Sequence, residues 1–225
     1  MLQGKGIISN LQKKILLSLR DLSDFNFFYL TGGTALAEFY LGHRKSYDLD
    51  IFTREENLIL PFSHIAEKKL SSEGFSLKVV RRFSAFVEFE LEEKDEKTRV
   101  QFAYDSPFHL EEPLDSNLGI KVNSYRDIII DKLLAFTGRT EPRDAIDTYF
   151  ILKKENIWEL IKLASQKDSG FDIYWLALAF QKVKEFPDEI DSWPVEMLLE
   201  IDIRELKNKF SQLALEIMKK LEGSK

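Results

Sequence analysis

Two aspartates placed two positions apart are the residues of this chain whose type and spacing most directly suggest chemistry. Asp48 and Asp50 alternate with Leu49 and Ile51 in a short run that is typical of a β-strand. Side chains two apart on a strand lie on the same face, so the two carboxylates project together. Neighbouring carboxylates repel each other unless a cation lies between them, and such oxygen ligands suit Mg²⁺ or Mn²⁺. The pair therefore predicts a site for a divalent metal ion as cofactor.

A glycine turn upstream of the aspartates adds a candidate phosphate-binding site. Gly32 and Gly33 follow a short apolar strand, and Thr34 begins a helical run. Backbone N–H groups at a glycine turn can approach an anion closely, and the positive end of the helix dipole lies behind them. A phosphate on this turn and a metal ion on the aspartates would together hold a nucleoside triphosphate. Arg44 and Ser46, between the two motifs, are further candidates for substrate binding.

Either motif alone is weak evidence, because a Gly-Gly before a helix is often a plain turn and an Asp-x-Asp run is often a solvated strand edge. The two motifs in one short stretch, with basic residues between them, are much more specific.

Length and composition limit the class of protein. With 225 residues, of which 44% are apolar and 31% charged, the chain is long enough for one large domain or two closely joined halves. It has no apolar run long enough to span a bilayer and no signal peptide, so we expect a cytoplasmic protein without a membrane partner. The absence of cysteine excludes disulfides and thiolate metal sites. A net charge of −6 argues against a generally basic nucleic-acid-binding surface but permits a local basic patch.

The order of hydrophobic patterns predicts an α+β fold with a mixed sheet covered by helices. Proline and glycine residues after residue 104 mark a loop-rich connection, where we place the join between a core over 1–119 and a helical region over 120–225. Beyond the central stretch, strand-like segments are predicted at 75–81, 83–91 and 98–104. Further helices are predicted at 8–20, 61–73, 125–137, from 142 onward, and at 157–166, 171–184 and 202–221.

A second candidate signature lies in the helical region. Lys132 interrupts an otherwise apolar helical stripe, and Asp144 and Asp147 share a face of the helix that begins near Pro142. An acid in the first helical turn and an Arg143–Asp147 pair would stabilise a helix without any chemistry, so these residues alone do not establish a site.

The central stretch, LTGGTAL followed by HRKSYDLD, resembles the core motif of the nucleotidyltransferase superfamily. More narrowly, it is similar to the AbiEii/AbiGii-type toxins of abortive-infection (phage-defence) and toxin–antitoxin systems. The later DKLLA and RTEPRDAID segments are similar to later motifs of the same branch. The resemblance implies a nucleotidyltransferase-like sheet followed by a helical region that completes the active-site cleft.

The same resemblance implies an activity and roles for residues. The activity would be metal-dependent transfer of a nucleotide from a nucleoside triphosphate to an RNA 3′ end, tRNA in particular, or to a protein hydroxyl. Lys132 would contact the nucleotide phosphates, and Asp144 would help to activate the acceptor. Arg139, Arg143 and Asp147 would bind substrate, and a cognate antitoxin would be a candidate partner.

One position departs from the superfamily pattern. Many members have a third metal-binding carboxylate on a later strand, where this chain has Gln101. A neutral amide can offer an oxygen but cannot act as a base, so either Glu88 or Glu90 substitutes or the site works with two carboxylates, which we favour. The departure keeps open a non-catalytic relative that binds a nucleotide or a partner. A nucleotidyltransferase that modifies a small molecule such as an antibiotic shares the first motif.

Overall fold

The computed structural model describes residues 1–223 and divides the chain into two compact units, residues 1–128 and 129–225. The division follows the last strand of the sheet, because Lys121 and Val122 still pair with the strand that precedes the glycine turn. The join predicted after residue 119 lies before that strand. Among residues 1–223, no helix is both long enough and apolar enough to cross a bilayer.

Unit 1 is built on a mixed seven-stranded sheet with the order β3-β4-β5-β2-β1-β7-β6. The strands are β1 (Phe28–Thr31), β2 (Asp48–Thr53), β3 (Ser76–Phe83), β4 (Phe86–Glu93), β5 (Glu96–Tyr104), β6 (Leu114–Asp115) and β7 (Lys121–Val122). β2 runs antiparallel to β1 and parallel to β5, and β3, β4 and β5 are joined in antiparallel pairs. The predicted mixed sheet is confirmed.

Helices cover one face of this sheet. They are α1 (Asn10–Arg20), α2 (Gly32–Ala35), which continues as a π-helix (Leu36–Leu41), and α3 (Ile59–Ser72), with a 3₁₀ turn at Ser23–Phe27. Alternate strand residues such as Ile51, Phe89 and Phe102 are fully buried on this face. Phe62 of α3 packs on it, with its ring centroid 5.4 Å from that of Phe102. The period-2 pattern therefore places the residues between them, including Asp48, Asp50, Glu88 and Gln101, on the other face of the sheet, called here the open face.

Unit 2 is helical, as predicted. It contains most of α4 (Tyr125–Arg139), then α5 (Pro142–Ile151), α6 (Ile157–Lys167), α7 (Ile173–Lys182) and α8 (Ile203–Gly223), with 3₁₀ turns at Val183–Glu185 and Ile190–Ser192. Its core includes Phe136, Phe180 and Phe210, and the last two rings lie 4.8 Å apart. The amphipathic stripe of α8 is thus used within its own unit.

Candidate active site

The two aspartates of β2 lie on the open face, as their spacing predicts. Leu49 and Ile51 between and beside them are fully buried, whereas Asp48 and Asp50 are partly exposed. Asp48 lies opposite Arg99 of β5, and its Oδ1 is 3.4 Å from the Arg99 Nε. This ion pair contributes little to stability, because solvent screens the attraction to an exposed guanidinium at this distance.

The glycine turn is built directly against this acid pair. Thr31, the last residue of β1, is the register partner of Asp50. Gly32 follows with φ +69°, and a Cβ added there would come within 2.8 Å of the Asp50 Cγ. Only glycine combines this backbone conformation with that close approach. The Thr34 hydroxyl donates to the backbone carbonyl of Asp48, which ties the helix start to β2.

This arrangement fits a bound divalent cation with two protein carboxylates. Among residues 1–223, no group of three or more His, Cys, Asp and Glu side chains is placed to hold a metal ion. Mg²⁺ commonly takes only one or two carboxylates and fills its other positions with water and substrate phosphates. A partly exposed carboxylate pair beside a turn that only glycine can occupy can supply two such ligands and leave the other positions to water and phosphate. Asp48 and Asp50 are therefore the residues of this chain that suit the ion.

Gln101 occupies the place expected for a third carboxylate. It is the register partner of Asp50 on one side and of Glu88 on the other. Its Nε2 donates to Oε2 of the buried Glu88 at 2.9 Å. The amide thus lies between the two acids, and Glu88 is two strands from Asp50, about 10 Å at the usual strand spacing. Glu90 is exposed and lies opposite Arg99, one row further along the sheet.

Arg44 and Ser46, the two substrate-binding candidates between the motifs, stabilise the loop that precedes β2. Arg44 is only 5% exposed, and its Nη1 donates to the Lys45 carbonyl at 2.9 Å. The backbone carbonyl of Ser46 accepts from the Gln12 side chain at 3.0 Å. Both residues position the start of β2, and direct contact of either with a substrate stays a prediction.

In unit 2, four of the predicted residues form one ionic cluster, of which Lys132, Asp144 and Asp147 are buried. The Lys132 Nζ lies 2.8 Å from an Asp147 oxygen and 3.8 Å from an Asp144 oxygen. Asp144 and Asp147 are both completely buried. Arg139 donates to both oxygens of Asp144, from Nε at 2.6 Å and from Nη2 at 2.8 Å. Two cations thus neutralise two buried carboxylates, as burial of charge requires.

Arg143, the remaining residue predicted in this region, has a different neighbour. Its Nε donates to Oε2 of Glu141 at 2.9 Å, and its side chain is 42% exposed. Arg139 is similarly exposed, at 46%. The two guanidinium groups are therefore the parts of this region that an anion in solution can reach, while Asp144 orients one of them.

A polar cluster on β1 has no counterpart in any local sequence pattern. The Tyr29 hydroxyl donates to Oδ2 of Asp105 at 2.6 Å and lies 3.1 Å from Nε2 of the buried His109. Burial raises the pKa of Asp105, but hydrogen bonds from His109, Tyr29 and the Ser106 N–H outweigh it and leave that pKa below its usual value. The participants are far apart in the chain and follow no local pattern, so only the fold reveals them.

Asn123 is a second residue without a sequence signal. It is fully buried, and its side-chain nitrogen donates to the Thr31 hydroxyl at 3.1 Å. Its backbone N–H donates to the Leu30 carbonyl at 2.9 Å. These contacts fix the end of β1, and so the entrance to the glycine turn.

Solved structures share this fold. JHP933 from Helicobacter pylori is 21% identical, with a TM-score of 0.56 over 95% of this chain and 91% of that one. MenT4, a nucleotidyltransferase toxin from Mycobacterium tuberculosis, is 15% identical, with a TM-score of 0.59 over 92% of this chain and 82% of that one. These likenesses show that the chain has the fold of a nucleotidyltransferase such as MenT4.

A match to a family model identifies this chain more narrowly than the shared fold does. The family model described as "Nucleotidyl transferase AbiEii toxin, Type IV TA system" matches residues 14–222. This chain therefore belongs to the AbiEii family of nucleotidyltransferase toxins, and the predicted family is confirmed. An uncharacterized protein of Aquifex aeolicus, aq_aa25, is 33% identical over 164 residues, which cover 72% of this chain and 76% of that protein.

Proposed function

We propose that this enzyme is a metal-dependent toxin that transfers a nucleotidyl group from a nucleoside triphosphate to the hydroxyl of an acceptor. The observation that carries the proposal is the contact between the Asp48–Asp50 pair and the Gly32 turn. It places candidate ligands for a divalent cation directly beside candidate N–H donors for phosphate. The type IV toxin–antitoxin family further supports a cognate antitoxin as a partner and the cytoplasm as the place of action.

The reaction that this proposal describes is a substitution at phosphorus. The acceptor oxygen forms a bond to the α-phosphorus, the bond from that phosphorus to its bridging oxygen breaks, and pyrophosphate leaves. The hydroxyl proton passes to a base. A divalent cation on Asp48 and Asp50 would stabilise charge on the attacking and departing oxygens. The backbone N–H groups of Gly32 and Gly33 would bind phosphate oxygens, and Thr34 would hold the turn against β2.

The family resemblance assigns further roles to residues of unit 2. Lys132 would neutralise phosphate charge, Asp144 would accept the acceptor proton, and Arg139, Arg143 and Asp147 would support binding. Asp144 can act as a base only if Arg139 releases it, because Arg139 occupies both of its oxygens. A pH profile of transfer by an Arg139→Ala variant therefore tests the base role separately from the metal site.

A transfer assay tests the proposal and identifies donor and acceptor together. The protein is incubated with each labelled triphosphate, total RNA, and Mg²⁺, Mn²⁺ or a chelator, and RNA and protein are separated on gels. We expect label on one fraction, loss of label with chelator, and loss in Asp48→Ala and Asp50→Ala. Asp95→Ala, at an exposed turn, is the matched control. Unchanged transfer by both site variants would reject this site, and triphosphate binding without transfer would indicate a binding relative.

A further inference from the structure

Helix α7 presents an apolar side to solvent. Trp175 is 59% exposed, Tyr174 41% and Leu178 39%, and Phe171, just before the helix, is half-buried. Residues at spacings of three and four lie on one side of a helix, so these four form a single surface, called here the α7 face. The opposite side, which includes the fully buried Phe180, packs in the core of unit 2. The core therefore uses only one of the two apolar sides of α7.

An acidic groove lies at the N-terminal end of the α7 face. It has a volume of about 300 Å³, and Phe171, Trp175, Asp168 and Asp172 are among the residues that line it. Each of the two carboxylates accepts one N–H of its own loop, at 2.8 Å. Both are exposed, and neither forms an ion pair with any residue between 1 and 223. An indole ring beside carboxylates is a surface that suits an ammonium group.

A lysine continues the same side of the helix at its other end. Lys182 lies four positions after Leu178, so its side chain projects on the side of the α7 face. It is exposed, and within the described residues it has no ion-pair partner, although Glu185 follows three positions later. The α7 face thus has acidic groups and an indole at one end and a cation at the other.

We propose that two copies of this chain pack antiparallel through their α7 faces, around a two-fold axis at Leu178. Such an interface is self-complementary, because each contact occurs twice. Leu178 of one copy meets Leu178 of the other. Trp175 lies three positions before this axis and Lys182 four positions after it, so Lys182 of each copy meets Trp175 of the other and reaches the groove that Asp172 lines.

The contacts in this arrangement explain why the α7 face is both apolar and charged. The exposed aromatic and aliphatic surface is removed from water at the centre, and two cation–π contacts form on either side of it. A basic segment of a different protein would also fit the acidic groove, but Lys182 would then face it with like charge. A second copy satisfies both ends at once. The inference does not rest on the proposed function, because α7 carries none of the candidate active-site residues.

Sedimentation velocity of the full chain, without triphosphate, tests the interface. Two helices bury a small area and associate weakly, so the protein is examined from about 5 to 200 µM. We expect the sedimentation coefficient to rise with concentration toward that of a dimer. Trp175→Ala should weaken association about tenfold or more, since a buried tryptophan often dominates an interface. Lys182→Gln should weaken association and reduce its dependence on salt. Ile65→Ala, at a 47% exposed position of α3 in unit 1, is the matched control.

Introduced cysteines test the position of the axis. The unmodified chain has no cysteine, so a single cysteine variant reports only on its own position. Leu178→Cys should form a disulfide between two copies under mild oxidation, because residues at a two-fold axis lie side by side. Ile65→Cys, equally apolar and exposed in the unmodified chain, measures cross-linking by random collision. Circular dichroism verifies that each variant is folded.

The outcomes decide for or against the interface. Association that is lost in Trp175→Ala, together with preferential cross-linking of Leu178→Cys, would support it. A chain that stays monomeric throughout this concentration range, or Leu178→Cys that cross-links no faster than Ile65→Cys, would overturn it. Association that Trp175→Ala leaves unchanged would also overturn it, since the contact would then lie elsewhere. No triphosphate is present in these measurements, so a failure here leaves the proposed function as it stands.

Discussion

The chain contains two pairs of aspartates that differ in almost everything except residue type. Asp48 and Asp50 lie two apart on a strand of unit 1 and are partly exposed beside a glycine turn. Asp144 and Asp147 lie three apart on a helix of unit 2 and are fully buried. The first pair has an exposed arginine at 3.4 Å from Asp48, whereas the second pair is neutralised by Lys132 at 2.8 Å and Arg139 at 2.6 Å.

The exposure of each pair decides whether a ligand in solution can reach its charges. Partly exposed carboxylates, such as those of Asp48 and Asp50, can be reached by a ligand from solvent. Buried carboxylates with close cation partners stabilise the folded state only as complete pairs, because an unpaired buried charge is strongly unfavourable. The first pair is therefore exposed enough to bind a ligand reversibly. The second pair is organised around the protein's own cations.

The largest predicted effect contrasts the stability of variants in the two pairs. Asp147→Ala leaves the buried Lys132 without its closest partner, so we expect the free energy of unfolding to fall by about 3 kcal/mol. Asp50→Ala should lower it by less than about 1 kcal/mol, because removal of one of two neighbouring carboxylates also relieves repulsion. Urea unfolding followed by tryptophan fluorescence measures unit 2, which contains Trp158, Trp175 and Trp193, and circular dichroism measures the whole chain.

A Lys132→Met/Asp147→Leu variant is the control for this contrast. It removes both charges and replaces them with apolar groups, so it should recover much of the lost stability. An Asp147→Ala variant as stable as the unmodified chain would contradict the inference that the second pair stabilises the folded state. Loss of transfer in that stable variant would indicate that the second pair acts in the reaction, as is proposed for the first pair.

Most of the fold follows from local patterns in the sequence. Alternation along β2 and β4, the helical spacing of α1 and α8, and the Pro61 and Gly74 that bracket α3 predicted those elements, and the Asp48–Asp50 pair predicted its own geometry. The short strands β6 and β7 carry too few residues for any periodicity. The burial of Arg44 depends on the tertiary structure around it. The hydrogen bond between Glu88 and Gln101 depends on how β4 and β5 pair, because the two residues are 13 positions apart in the chain. Local sequence contains no record of such register.

Substitution of Glu88 decides between two and three carboxylates at the candidate metal site. If Glu88 only orients Gln101, Glu88→Gln should change transfer less than about tenfold, because its amide still accepts a hydrogen bond, and the metal concentration for half-maximal activity should not move. We expect a stability loss of about 1 kcal/mol, the difference between a charged and a neutral acceptor. Glu90→Gln is the exposed control on the same strand. A loss of transfer as large as that in Asp50→Ala would identify Glu88 as a third metal ligand.

The smallest expected effect concerns Asp105, a carboxylate of unit 1 whose hydrogen bonds contribute to stability. The lowered pKa of Asp105 means that its hydrogen bonds with Tyr29, His109 and the Ser106 N–H favour the ionised form. Their contribution is therefore fully present above about pH 4, the usual range for an aspartate, and is lost as the pH falls through the lowered folded pKa. Asp105→Asn should lower the melting temperature at pH 7 and progressively less from pH 4 downward, and Asp95→Asn, at an exposed turn, is the control for loss of a surface charge. A melting-temperature difference that stays constant from pH 7 to pH 2.5 would show that the Asp105 charge contributes nothing to stability.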